Sequence, residues 1–235
     1  MDYWSRIEEE TRLVQEATTS RSSSTVSLLH KVFSHYAEAF SLVKPSEDTK
    51  AAIVRMGLIS QNFNTLRLAL DAATSGYYLQ SIVLLRNVYE NWLAFWYVAK
   101  FPEQSGLWLD PRWDRRPPKA ETMRNKIDHP TKETKSKLQG FYEELNRFAH
   151  TDPAAVLSRL RIIEGRPLVW VGVEYKPDDF AACSYALLLW LGNMLDAISS
   201  WIPETHDWYC RYQGIMDEIL QFLGDYNNSY RDSSA

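Results

Sequence analysis

Residues 77–101 read YYLQSIVLLRNVYENWLAFWYVAKF, the longest strongly apolar segment in the first half of the chain. Gly76 precedes the stretch and Pro102 follows it, so both ends carry helix-limiting residues. At about 100° per residue, Arg86, Asn87, Glu90 and Asn91 share one arc of roughly 140°. Val83, Leu84, Tyr89, Leu93, Trp96 and Tyr97 occupy much of the rest. A helix with this much apolar surface belongs inside a bundle, and its polar arc must find partners there.

The composition agrees with that reading. The chain has 235 residues, 45% hydrophobic and 13% aromatic, which excludes a disordered chain and allows a sizeable core. Only nine glycines argue against an all-β design or a Gly-loop α/β design. A formal net charge of −4 excludes a general polyanion binder. Cys183 and Cys210 form neither a disulfide framework nor a CxxC pair, and read as reduced thiols of a cytoplasmic protein. The opening MDYWSRIEEE is acidic and amphipathic, unlike a secretory signal. Arg86 and Glu90 interrupt the first apolar segment, and Asn193 and Asp196 interrupt residues 180–202. Both therefore read as buried helices, and no membrane partner is expected.

Outward from residues 77–101, the helical period repeats. A charged amphipathic helix is predicted for Asp2 to about Thr18, with Trp4, Ile7, Val14 and Ala17 towards one side and a polar joint at 20–25. Val26, Leu29, Phe33, Tyr36, Phe40 and Val43 then recur at alternating steps of three and four. Pro45 ends that run, and Ser46 or Asp48 can cap the next helix. The same step returns as Met56, Ile59, Phe63, Leu66, Leu70 and Ala73. These two helices are expected to form an antiparallel hairpin, with residues 77–101 returning against it. Residues 102–119 carry four prolines and no sustained period, and read as a long surface connection. Short helices are predicted for 120–129 and 131–150, the latter with Leu138, Phe141, Tyr142, Leu145 and Phe148 on its apolar side. Two β-rich runs around Glu164-Gly165-Arg166 predict a hairpin at about 158–175. An apolar helix opens at Pro177-Asp178 and runs to about Ile202, and a last helix covers about 204–223 before a frayed tail at 224–235. The expected architecture is a single all-α domain over 1–235, an antiparallel up-and-down bundle with one small β-hairpin insertion. Residues 1–44 supply N-terminal helices and 46–202 the core.

No metal-ligand spacing, dinucleotide loop, Walker loop or nucleophile elbow is present, so no metal or cofactor is expected. Histidines 30, 35, 129, 150 and 206 are scattered. Residues 112–137 hold nine Lys/Arg against four Asp/Glu, a local excess that can attract phosphates, with Arg115 and Arg116 among the cations. Trp108 and Trp113 border this stretch and can stack on unpaired bases. The competing reading is a solvated basic surface.

Within that stretch, Arg124-Asn125-Lys126-Ile127-Asp128-His129 resembles the arginine, polar residue, three spacers, histidine pattern of the HEPN ribonucleases, an all-helical superfamily of nucleases and toxins. The resemblance implies metal-independent RNA cleavage. Arg124 and His129 would act at the scissile phosphate and 2′-hydroxyl, Asn125 would fill the polar position, and a partner protomer's motif would lie alongside. Imidazole chemistry near neutral pH and a guanidinium beside developing phosphate charge fit such a role. A second resemblance spans about 46–202. Leu85-Arg86 with Glu90, then Phe141-Tyr142 leading to Asn146-Arg147-Phe148-Ala149-His150, looks like uncharacterised bacterial HEPN-like proteins. It implies a polar centre built from Arg86, Glu90, Tyr142, Arg147 and His150, with Arg86 and Glu90 mostly buried. The alternative for Arg86 and Glu90 is a structural ion pair.

Three functions follow. The chain is a candidate endoribonuclease of toxin or antiviral-defence type. Alternatively it is a catalytically silent module that binds a nucleotide, RNA or a protein partner, or a small-molecule-binding bundle. A homodimer is expected in each case.

Overall fold

The computed structural model describes residues 2–43, 49–110, 112, 116–127, 139–140, 142–143, 145–146 and 173–232, with side chains to 229, and the backbone of 160–163 and 166–169. Helices dominate. In chain order they are α1 (Tyr3–Arg21), α2 (Ser23–Leu42), α3 (Lys50–Thr74), α4 (Tyr78–Lys100), α5 (Gly106–Leu109), α6 (Ala120–Lys126), α7 (Pro177–Ser199) and α8 (Asp207–Asp232). Residues 139–140, 142–143 and 145–146 are also helical. Strands β1 (Leu160–Ile163) and β2 (Arg166–Val169) pair antiparallel, with Leu160 opposite Val169 and Ile163 opposite Arg166.

Local chemistry sets the helix limits. Asp2 caps α1 by accepting from the Ser5 amide at 2.8 Å. The predicted polar joint at 20–25 contracts to the single residue Ser22, whose amide donates to the Thr18 carbonyl at 2.9 Å while α2 begins at once. The Ser46 and Asp48 caps lie outside the described residues. The cap of α3 is Thr49, whose hydroxyl accepts from the Ala52 amide at 3.1 Å. α3 ends in a Schellman turn, in which the Tyr77 amide donates to the Ala72 carbonyl and the Gly76 amide to the Ala73 carbonyl. Gly76 takes φ +80°, the left-handed conformation that this turn demands. α7 starts with Pro177 at its first position and Asp178 and Asp179 in its first turn, which suits the positive end of the helix dipole.

The core runs through α7. Phe180, Leu187, Leu188, Trp190, Leu191, Met194, Leu195 and Ile198 are all buried, and α7 packs against α2, α3, α4 and α8. Among the described residues, α7 is the helix whose length and composition would also allow a membrane span, and 67% of its apolar window is buried by its neighbours.

α3 and α4 form the closest helix pair, because the three-residue turn sends the chain straight back. α2 meets α3 through large rings instead. Phe63 lies 5.0 Å from Phe33, 5.5 Å from Tyr36 and 5.4 Å from Phe40. The expected hairpin of the two matched helices is thus held by an aromatic wedge rather than by close backbones. The Tyr36 hydroxyl, fully buried, donates to the Ile59 carbonyl at 3.0 Å and completes the contact.

Four local expectations change. Pro102–Ser105 forms a 3-10 turn and α5 continues it, both packed on α3, so this part of the connection is not free surface. α6 stops at Lys126, three residues short of His129. Trp4 stays 71% exposed, while Val14 of the same expected side is buried and Thr18 joins it. α8 reaches Asp232, beyond the predicted end at 223.

Candidate functional site

Two sequence strings that are distant in the chain meet on one face of α4. α6 packs against α4 and carries Arg124 inward, only 6% exposed, although neighbouring Asn125 is exposed. The Arg124 guanidinium carbon stands 5.4 Å from the centre of the Tyr142 ring, and that of Arg86 stands 5.9 Å from the same ring. Tyr142 stacks at 5.2 Å on Tyr89, which is fully buried and meets Trp190 of α7 edge-on at 5.7 Å. Trp92 adds a second edge contact to Trp190 at 5.9 Å. The sequence expected Arg86, Glu90, Tyr142 and Arg124 in two separate candidate sites; the fold joins them.

Charge is unevenly compensated here. Arg86 Nε donates to Glu90 Oε1 at 3.0 Å, and the two side chains are 26% and 36% exposed. Both side chains are thus mostly buried and bonded to each other, as expected, while α4 keeps the pair near its rim, where water still reaches it. An ion pair so exposed contributes under about 1 kcal/mol. Arg124 is the buried cation. Its Nε and Nη1 make no well-formed hydrogen bond among the described residues, and the Tyr89 hydroxyl has only the nearby Arg124 guanidinium, short of good hydrogen-bond geometry. Burial raises the Tyr89 phenol above its ordinary value, while the adjacent Arg124 guanidinium pulls it back down. Asn146, one helical turn beyond Tyr142, carries a buried Oδ1 with no partner among the described residues.

An uncompensated buried charge costs several kcal/mol. The face of Tyr142 offsets part of that for Arg124, about 2 kcal/mol when desolvated. The unpartnered Nε and Nη1 lie on different edges of the guanidinium, and either can donate to an oxyanion.

The other predicted residues are dispersed. Arg116 is exposed, as is Asn125, which points away from Arg124. Trp108 packs at 6.1 Å from Tyr97, half-buried, instead of standing free for a base. Trp113, Arg115, His129, Arg147 and His150 lie outside the described residues. Among the residues that are described, no group of three or more His, Cys, Asp or Glu could hold a metal.

Sequence reasoning passed over Tyr89 and Asn62. Tyr89 read as one more apolar position of α4; its only signal was its place beside Glu90. Asn62, 1% exposed, donates to the Val88 carbonyl at 3.1 Å and accepts from Asn91 at 2.9 Å. This joint between α3 and α4 partners one residue of the polar arc, and its signal was an amide directly before Phe63 of the three-four run. No protein-family model matches the chain, and no curated protein or solved structure shows significant similarity to it.

Proposed function

We propose that the chain is a helical module that binds a phosphate-bearing ligand, a nucleotide or RNA, at the face formed by Arg86, Tyr89, Arg124 and Tyr142. One observation carries this reading: Arg124 is only 6% exposed and has no carboxylate partner among the described residues. Two guanidiniums share the Tyr142 ring, and Arg124, the more buried of them, has no carboxylate partner among the described residues, so its positive charge is open to an anion. A bound anion would neutralise it in an environment of low dielectric, where the attraction is strong. Fluorescence titration with a short single-stranded RNA and with a nucleotide tests the proposal. Binding should be lost in Arg124→Gln and weakened at high salt. Binding of neither ligand, or unchanged binding in Arg124→Gln, rejects it.

A second reading, metal-independent RNA cleavage of HEPN type, draws on the meeting of Arg124 with Arg86, Glu90 and Tyr142. A guanidinium that binds phosphate can also stabilise its transition state, given an imidazole for proton transfer. The assay is RNA cleavage in EDTA with His129→Ala and His150→Ala. Full activity in both variants, or no cleavage by the parent protein, removes this reading and leaves the binding module.

The proposal includes a symmetric homodimer. α1 and α3 leave Trp4, Leu13, Ile53 and Leu68 in solvent, and such apolar exposure marks association surfaces.

A further inference from the structure

One exposed face of α3 carries three features that packing within a single chain does not explain. At about 100° per residue, Lys50, Ile53, Gly57, Asn64, Leu68 and Asp71 fall within an arc of roughly 60°, and all six are exposed. Ile53 and Leu68 keep 52% and 59% of their surface in solvent, which is high for large aliphatic side chains. Gly57 sits inside the helix, where glycine is among the least favourable residues, yet a Cβ there would meet nothing within 4 Å. Lys50 opens α3 and Asp71 lies in its last turn, so each charge opposes the helix dipole. Neither has an ion-pair partner among the described residues.

A second copy laid antiparallel along this face answers all three. Under a two-fold axis midway between residues 60 and 61, Lys50 comes opposite Asp71, Ile53 opposite Leu68, and Gly57 opposite Asn64, each pair twice. The unpaired charges then meet opposite charges, and the aliphatic side chains cover each other. The absent side chain at Gly57 lets an asparagine from the other copy settle against the backbone, and lets the helix axes approach. A uniformly acidic or basic partner would suit one end of this face only, because its cation and its anion stand about 32 Å apart at 1.5 Å per residue.

We propose that the α3 face from Lys50 to Asp71 is a self-complementary docking surface, packed antiparallel on the same face of a second copy of this chain. This rests on the homodimer reading above and places its two-fold axis at the middle of α3.

Analytical sedimentation of the full chain over a concentration series reaching about 50 micromolar tests it, with the thermal midpoint of every variant measured alongside. Lys50→Glu and Asp71→Lys each set like charges opposite one another at two symmetric places, and each should weaken self-association about fivefold or more. Both substitutions suit the dipole of α3, so neither should lower the thermal midpoint. An equimolar mixture of these two variants regains both opposite-charge pairs in the mixed dimer, and its association should return to the parent level. Gly57→Lys puts bulk and charge into the seam, replaces glycine with a better helix former, and should leave a folded monomer. A dimer unchanged by all three substitutions, or no recovery on mixing, overturns this interface and leaves the homodimer standing. A parent chain that sediments as a monomer throughout the series overturns both.

Discussion

At the scale of single residues, burial sets the behaviour of ionisable groups more than their immediate neighbours do. His35 stacks face to face on Trp208 at 4.3 Å and is 5% exposed. Burial pushes its imidazole down from an ordinary 6.5 to about 4, opposed by Glu38 and assisted by Arg211 of α8. Nδ1 lies 3.9 Å from Oε2 of Glu38, beyond hydrogen-bond reach, and Arg211 engages the other oxygen, Oε1, at 2.5 Å, so Glu38 is a weak acceptor for a proton on His35. The unfolded chain binds a proton at His35 below about pH 6.5 and the folded chain does not. Stability from this group is complete above pH 6.5 and falls as pH drops towards 4. We expect a loss on the order of 1–2 kcal/mol from this residue, allowing for partial screening by solvent. Urea unfolding of wild type and His35→Phe at pH 7 and pH 5 checks it, and equal pH dependence in the two proteins refutes it. At the Arg86–Glu90 pair the opposite holds. Glu90→Ala should lower stability by less than about 1 kcal/mol, because water reaches both partners. A loss above about 3 kcal/mol in denaturant titration would show that the pair is shielded from water.

At the scale of elements, the turn between α3 and α4 bears the sharpest steric demand. A Cβ on Gly76 would stand 2.9 Å from Val14 Cγ1 of α1 and 3.2 Å from the Glu174 carbonyl oxygen. Gly76 therefore joins three parts of the chain besides closing α3. Gly76→Ala combines a left-handed residue with a contact against backbone, and should cost about 2 kcal/mol or more. A differential-scanning measurement with an unchanged midpoint would contradict this. The sequence placed Gly76 at the right boundary, because a glycine after a periodic run is a local signal. Its contact with α1 was hidden, because residues 14 and 76 are joined only by packing. The same limit applies to α2 and α3. Their three-four spacing is real, yet Phe33, Tyr36, Phe40 and Phe63 fill the space between them, and side-chain bulk sets axis separation independently of period.

At the scale of the whole molecule, α7 holds the centre. Residues 77–101 decide that the chain is a helical bundle, but α7 contacts α2, α3, α4 and α8 and carries the larger share of fully buried side chains. α8 is secured at its outer edge by Lys31–Glu218 and Glu38–Arg211, each at 2.5 Å to α2, and inside by Trp208, whose indole donates to the His35 carbonyl at 3.0 Å. The outer faces of α1 and α3 remain apolar in places, with Trp4 71% and Leu68 59% exposed. A symmetric dimer that covers them is expected. Light scattering should give twice the chain mass at tens of micromolar, on the order of concentrations where a moderate interface is filled. A monomer under those conditions, or a dimer unaffected by Trp4→Ala and Leu68→Ser, removes this assembly.

What the sequence determined by itself was the set of helices and most of their limits. Periodicity, proline, glycine and capping residues act over a few neighbours, and that information is complete within each segment. It also marked Arg86, Glu90, Arg124 and Tyr142 as unusual. Only the tertiary structure decided that these four share one site, that Tyr89 lies beneath them, and that Arg124 turns inward while Asn125 turns out. An arginine in a basic, proline-rich stretch reads as solvated, because solvation is the default for a cation. Its burial is created by α6 lying on α4 with the Tyr142 ring across it, and no spacing within residues 112–137 encodes those partners.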